Sequence, residues 1–227
     1  MWDKCRATRG REEGRLGGYL ENQHPTPDTQ HLVRTFIAVL ISGELKRRIA
    51  LVQEEFKKLA PEVKWVAEDN FHVTLKFLGN VKDDRLASIS KVVAKAVEGA
   101  KPFEFEIGGA GAFPSARRPR VVWVGLTTGK DSLAELARRV DKELEKLGFP
   151  REDRPFKSHI TIGRVKDDRT TGELGRALEE ADVGRLGSVH VDSVAVMKSD
   201  LKRDGPIYSV LSEIPLRGAG GEKDANG

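Results

Sequence analysis

The chain has one cysteine, Cys5, in 227 residues. That excludes a disulfide framework and a thiolate metal cage. No run reaches the roughly 20 apolar residues needed to cross a bilayer. The opening MWDKCRATRGREEGRLGG lacks the continuous apolar stretch of a secretory signal. From these absences the expectation is a cytoplasmic protein that does not engage membranes. Neither sign of charge dominates: 39 Lys and Arg stand against 35 Asp and Glu, a net +4 with a pI near 9.1. A polyanionic partner is compatible with that balance but not required by it. The length suits one large domain or two small lobes around a shared core.

Metal and nucleotide-loop motifs are also missing. No His-x-x-x-His or His-Glu-x-x-His occurs, and His190 has no spaced partner. Gly108-Gly109-Ala110-Gly111 lacks the Gly-Lys-Thr of a P-loop and reads as a turn after a strand. No metal and no cofactor are expected.

Residues 1–32 hold four Gly, two Pro, five basic and five acidic residues with little apolar periodicity. They read as a disordered extension. Residues 33–216 read as the folded domain and 217–227 as a flexible tail. Within the domain, strands are expected at Arg34–Leu40, Lys64–Ala67, Phe71–Leu78, Phe103–Ile107, Val121–Leu126, His159–Gly163, Val189–Met197 and Ile207–Ile214. Helices are expected from Ser42 to about Leu59 and near Asp84–Val97, Asp131–Leu147 and Gly172–Ala181.

This order repeats. A step of 87 residues lays Phe36 on Trp123, His72 on His159 and Phe103 on His190. The repeats run over about 34–107 and 121–194. The expected fold is α/β (α+β) and bilobal, with two antiparallel sheets, outer helices and a pseudo-two-fold axis through a central cleft. The two units face each other and exchange strands in this reading.

The overlay contains the sharpest chemical signal. His72-Val73-Thr74-Leu75 and His159-Ile160-Thr161-Ile162 are both His-apolar-Thr-apolar. Residues two apart on a strand share a face. So each histidine shares a side with its threonine while the apolar pair packs behind. Across a cleft, two imidazoles and two hydroxyls would converge. Imidazole titrates near neutrality, so one ring can take a proton while the other gives one. Threonine hydroxyls can donate to non-bridging phosphoryl oxygens. That set fits in-line attack on a phosphodiester, a strained cyclic one in particular.

These motifs resemble the signature of the 2H phosphoesterase superfamily. The stretches Arg34-Thr-Phe-Ile-Ala-Val39, Phe71-His-Val-Thr-Leu-Lys-Phe-Leu-Gly79 and Arg154-Pro-Phe-Lys-Ser-His-Ile-Thr-Ile-Gly-Arg164 narrow the resemblance to the RNA 2′,3′-cyclic phosphodiesterase family, also called LigT-like or 2′–5′ RNA ligases. It covers about residues 33–216. Ser158 stands where this family commonly has proline. The resemblance implies metal-independent hydrolysis of RNA or nucleotide 2′,3′-cyclic phosphates to 2′-phosphates, and reversible, ATP-independent 2′–5′ joining of RNA ends such as tRNA halves. It makes His72 the proton donor and His159 the proton acceptor, with Thr74 and Thr161 holding the phosphate.

Further substrate-binding candidates are Lys76, which shares the side of His72 and Thr74 by alternation, then Arg117, Arg118 and Arg120 in the Ser-Ala-Arg-Arg-Pro-Arg stretch, and Arg154. Lys157 and Arg164 also flank the second motif. Phe156 is a candidate for stacking on a base, and Tyr208 a weaker one. Trp65 and Trp123 are expected in the core. Two other readings stand beside the enzyme: a non-catalytic RNA-binding module, and a phosphodiesterase for small cyclic sugar-nucleotide phosphates or 2′–5′ oligonucleotides. Because one chain supplies both motifs, a monomer suffices.

Overall fold

In the computed structural model the described residues are 31–166, 171–203 and 205–218. The expectations for 1–30 and 219–227 lie outside them. An alternating strand, β1 (Leu32–Leu40), runs into α1 (Gly43–Leu59), where the Ser42 hydroxyl accepts the Leu45 amide at 3.4 Å and caps the helix. The buried face of α1 is Leu45, Ile49, Gln53 and Phe56. Gln53 is tolerated there because its amide donates to the carbonyls of Val66 and Ile162 at 2.8 and 2.7 Å.

The chain continues through β2 (Lys64–Trp65), β3 (His72–Lys82), α2 (Leu86–Val97), β4 (Glu98–Gly99), β5 (Phe103–Ser115) and β6 (Arg118–Thr128). Then come α3 (Lys130–Glu145), β7 (Ile160–Arg164), α4 (Thr171–Glu180), β8 (Arg185–Val191), β9 (Ser193–Lys202), β10 (Gly205–Pro215) and β11 (Arg217–Gly218).

Nine strands form one antiparallel sheet in the order β10-β9-β1-β3-β7-β6-β5-β8, with β2 added on β7. It consists of a half of four strands, β10-β9-β1-β3, and a half of five, β7-β6-β5-β8 with β2, joined by the pairing of Val73 of β3 with Ile160 of β7. The repeats do exchange strands. β5, from the first repeat, pairs with β6 and β8 of the second. β9, its counterpart in the second repeat, pairs with β1 of the first. β4 and β11 make a small parallel sheet, so Arg217 and Gly218 are strand rather than tail.

Two sequence expectations change. Gly108–Gly111 is not a turn. β5 runs straight through it with a bulge, since Ile107 faces Leu126 while Ala110 faces Val124. Gly109 takes the left-handed φ of 74° that the bulge requires. The single strand expected at Val189–Met197 is two, β8 and β9, divided at Asp192. There the chain leaves one half of the curled sheet and enters the other.

Helices cover one side of the sheet. The core between them includes Ile37, Ile49, Val73, Ile89, Val122, Val124, Leu133, Ile160 and Ile162, all fully buried. A second, smaller cluster of Phe36, Ala38, Ala195 and Met197 lies apart from it, with Leu40 and Tyr208 packed against it. These side chains alternate with the helix-side ones along their strands, so they occupy the open face.

Candidate active site

The Val73–Ile160 pair fixes the site. Both side chains are fully buried in the helix-side core, so their strand neighbours point the other way. Continuing the antiparallel register sets His72 opposite Thr161 and Thr74 opposite His159. The two histidines are then diagonal neighbours, roughly 7–8 Å apart at the backbone. A phosphate fits between groups so spaced. All four side chains are half-buried.

Each repeat then breaks its alternation at the same place. Ala38 faces Thr74 but Ile37 faces Lys76, leaving Leu75 as the extra residue. Trp123 faces Thr161 but Val122 faces Gly163, leaving Ile162 extra. The two bulges are related by the 87-residue step. They correct the expectation that Lys76 lies beside His72 and Thr74. The bulge turns Lys76 to the helix side, where it is 3% exposed. Its ammonium donates to Asp141 Oδ1 of α3 at 2.5 Å and to the Pro150 carbonyl at 2.7 Å. Asp141 also accepts from Arg151 Nε at 3.0 Å and the Glu152 amide at 3.3 Å. Lys76 therefore moors the segment leading to His159 and is not placed to hold substrate.

Gly163 is the equivalent of Lys76. A Cβ there would come within 2.8 Å of the Trp65 ring. The next residue of each copy, Phe77 and Arg164, returns to the open face. Phe77 has its ring 5.8 Å from Phe36. Arg164 is exposed, and its charge is felt by His72, His159 and Tyr208.

The imidazoles are held alike. His72 Nδ1 is 2.7 Å from the Asn70 carbonyl and His159 Nδ1 is 2.6 Å from the Lys157 carbonyl. A carbonyl only accepts, so Nδ1 carries the hydrogen in both rings. Each neutral ring then offers an unprotonated Nε2. That of His72 accepts from the Thr74 hydroxyl at 2.9 Å. Aromatic walls back the rings. Phe36 and Tyr208 have centroids 4.8 and 5.3 Å from His72, and Phe113 is edge-on to His159 at 5.0 Å.

Burial under these walls pushes His72 down to about 4, against the raising effect of its bond to the Asn70 carbonyl. Lys46, His159 and Arg164 lower it further. His159 is also lowered, by burial first and then Arg164, with the Lys157 carbonyl opposing. Burial raises the Tyr208 phenol while Arg164 and Arg34 pull it back.

The remaining candidates are scattered. Arg117, at the β5–β6 hairpin tip, sits 3.6 Å from Glu179 of α4 with its side chain 87% exposed. Arg118 and Arg120 are exposed on β6, and Arg154 is exposed before β7. Phe156 packs against the helix-side core, so the ring beside His159 is Phe113 instead. Trp65 packs on the helix-side core as expected. Trp123 does not. It lies between the fully buried Val122 and Val124 and so faces the open side. It rests over Gly111 and Gly125 with Phe113 5.4 Å away. Alternation along Val121–Leu126 could have placed it there. Nothing local in the sequence pairs Phe113 or Tyr208 with a histidine, because those contacts depend on the exchanged strands.

A two-fold pseudo-symmetric α+β fold with one His-x-Thr from each repeat on a shared open face defines a 2H phosphoesterase. The model of the LigT-like phosphoesterase family matches twice, over residues 39–123 and 124–208, one match per repeat. The chain belongs to this family. It is 38% identical over 184 residues to the RNA 2′,3′-cyclic phosphodiesterase of Methanothermobacter thermautotrophicus, covering 81% of this chain and 99% of that protein. It is 36% identical over 186 residues to the protein of the same name from Thermotoga maritima, covering 82% and 97%. Among solved structures, E. coli LigT complexed with 3′-AMP superposes with a TM-score of 0.68 at 26% identity, over 82% of this chain and 99% of that one. The TT0787 protein of Thermus thermophilus does so at 0.64 and 29%, over the same shares.

Proposed function

We propose that the chain hydrolyses the 2′,3′-cyclic phosphate at an RNA or nucleotide end to a 2′-phosphomonoester. The observation that carries this reading is the pairing of Val73 with Ile160, which puts both His-x-Thr pairs on one face. The relatives named above, and the nucleotide bound to the E. coli protein, support the substrate class.

Neutral His159 takes a proton from water through Nε2 as the water oxygen bonds to phosphorus. The phosphorus–O3′ bond breaks, and His72, protonated on Nε2, gives its proton to the departing oxygen. The order of acidities supports these roles. The ring pushed further down is the stronger acid for an alkoxide, and the less perturbed ring is the better base. An anionic substrate supplies the charge that lets His72 hold its proton. Thr74 and Thr161 donate to the non-bridging oxygens, Thr74 by turning from His72 Nε2. Arg164 balances the charge. Among the described residues no three His, Cys, Asp or Glu side chains gather as a metal shell, and this route uses protein groups alone.

A 5′-hydroxyl that replaces water in this step is joined to the 2′-phosphate with the roles unchanged, and because both rings share one tautomer they can exchange roles when the 2′–5′ linkage is cleaved back to the cyclic phosphate. We take RNA ends such as tRNA halves as substrates for either direction. A cytoplasmic monomer meets the requirement, since one chain provides the full set. The test is turnover of a cyclic-ended RNA with phosphorus NMR of the product. The 2′-phosphate should form with chelator present. His72→Ala or His159→Ala should each cost about 10²–10⁴-fold in kcat with RNA affinity changed far less. RNA binding without turnover in the parent would leave the non-catalytic module as the reading.

A further inference from the structure

The open face of the first half continues past His72. Register puts Phe77, Phe36, Met197 and Val210 in one row across β3, β1, β9 and β10. The next row outward is Asn80, Arg34, Ser199 and Tyr208, taking Arg34 beside Ser199 from the Thr35–Lys198 pairing. Leu201, paired with Pro206, lies beyond. The middle of the first row is closed, with Phe36 and Met197 buried. Its ends are not: Phe77 is 55% exposed and Val210 48%, and Leu201 farther along β9 is 68% exposed. A large flat ring therefore stands open about three residues, or roughly 10 Å along β3, from Thr74. The charge within these two rows is of one sign, and the open-face carboxylate of Glu213, paired with Ala195, lies in the Thr74–Ala38 row instead. Arg34 and Arg164 are both exposed and both act on the Tyr208 phenol. No carboxylate belongs to these rows.

We propose that this face is a stacking subsite for the nucleotides that precede the cyclic phosphate in a single-stranded RNA. Phe77 takes a base on its exposed ring, and Arg34 takes the phosphates on the way. The inference rests on the phosphodiesterase reading and extends it. A 2′,3′-cyclic phosphate ends a chain, so every other nucleotide lies on its 5′ side and must leave the site along the protein surface. The row beginning at Phe77 is continuous with the phosphate site. It pairs an aromatic face with cations, the combination that holds unpaired nucleic acid. The chain is thereby built for polynucleotide ends more than for cyclic mononucleotides.

The experiment compares kcat/KM for a cyclic mononucleotide with that for a tetranucleotide carrying the same cyclic end. The parent should favour the tetranucleotide by about tenfold or more. Phe77→Ala should erase roughly tenfold of that advantage and leave the mononucleotide value unchanged, while Phe77→Trp keeps it. Arg34→Ala should act the same way and flatten the salt dependence of the tetranucleotide value. Equal use of both substrates by the parent overturns the proposal. So does an equal loss on both in Phe77→Ala, or a Phe77→Ala change in sedimentation mass with length preference intact, which would make the face a contact between copies. If the parent turns over neither substrate, the phosphodiesterase reading fails by itself. Fluorescence titration with the tetranucleotide then decides the subsite, which stands only if Phe77→Ala weakens binding.

Discussion

Tyr208→Ala uncovers His72 without altering any atom of the imidazole or its bonds to Asn70 and Thr74. In the parent the ring is walled by Phe36 and Tyr208 at 4.8 and 5.3 Å and sits near 4 rather than 6.5. That difference corresponds to about 3 kcal/mol favouring the neutral form. Burial is its largest cause, so opening one of two aromatic walls should move His72 upward by roughly one unit or more. A ring at about 4 is protonated to about one part in 10³ at pH 7, and each unit gained multiplies that share by about ten. The pair needs one proton. In the parent, kcat/KM should therefore peak on the acid side, between His72 near 4 and His159 below 6.5. Tyr208→Ala should narrow the bell from its acid edge. The assay is an imidazole NMR titration of parent and variant beside kcat/KM from pH 4 to 9. A His72 that titrates near 6.5 in the parent, or one unmoved by Tyr208→Ala, would refute the reasoning.

The same perturbation makes the fold acid-sensitive. The unfolded ring protonates near 6.5 and the native one near 4, so the unfolded state binds more protons between those values. Urea denaturation should show His72 contributing a loss of up to about 3 kcal/mol as pH falls from 6.5 through 4, a loss that His72→Gln removes. At the buried ion pair, Asp141→Ala should cost about 3–5 kcal/mol because it strands the Lys76 ammonium. Lys76→Met should cost less, since Arg151 and the Glu152 amide still serve Asp141; equal midpoint shifts for the two variants would contradict this. Gly111→Ala puts a Cβ 2.5 Å from the Trp123 ring and should lose about 1–3 kcal/mol together with activity, because Trp123 lies opposite Thr161. Gly172→Ala, in α4, meets nothing within 4 Å and should hold or raise stability in the same melts, by up to about 1 kcal/mol.

Local pattern was enough to single out the four residues at the centre of the candidate site. His-apolar-Thr-apolar on an alternating strand needs only two-residue periodicity to be read, and the doubling tied its halves together. The position of Lys76 was not legible, because a bulge is a property of two strands and shows only when Leu75 lacks a partner on β1. Gly108 and Gly109 misled for a related reason. Two adjacent glycines suit a turn and a bulge equally, and only the pairing of β5 with β6 selects the bulge. Arg164 differed in kind: its flank position was plain, but its route to the open face depends on the extra residue at Ile162. The aromatic walls were hidden most deeply. Phe36 approaches His72 across neighbouring strands, while Tyr208 and Phe113 reach their histidines on elements from the opposite end of the chain or the opposite repeat.

The exchange of β5 and β9 means that neither repeat is a self-sufficient piece of protein. Cut between residues 116 and 117, at the β5–β6 hairpin tip, the upstream fragment would keep β1 without the β9 that flanks it, and the downstream fragment would keep β6 without β5. Each would expose a bare inner edge along the strand that supports its own histidine motif. Two such fragments could regain function only by finding each other, as mutually completing partners. A single cooperative melting event thus governs both imidazoles, and damage to the hydrogen-bonded interior of one repeat is felt in the reactivity of the other.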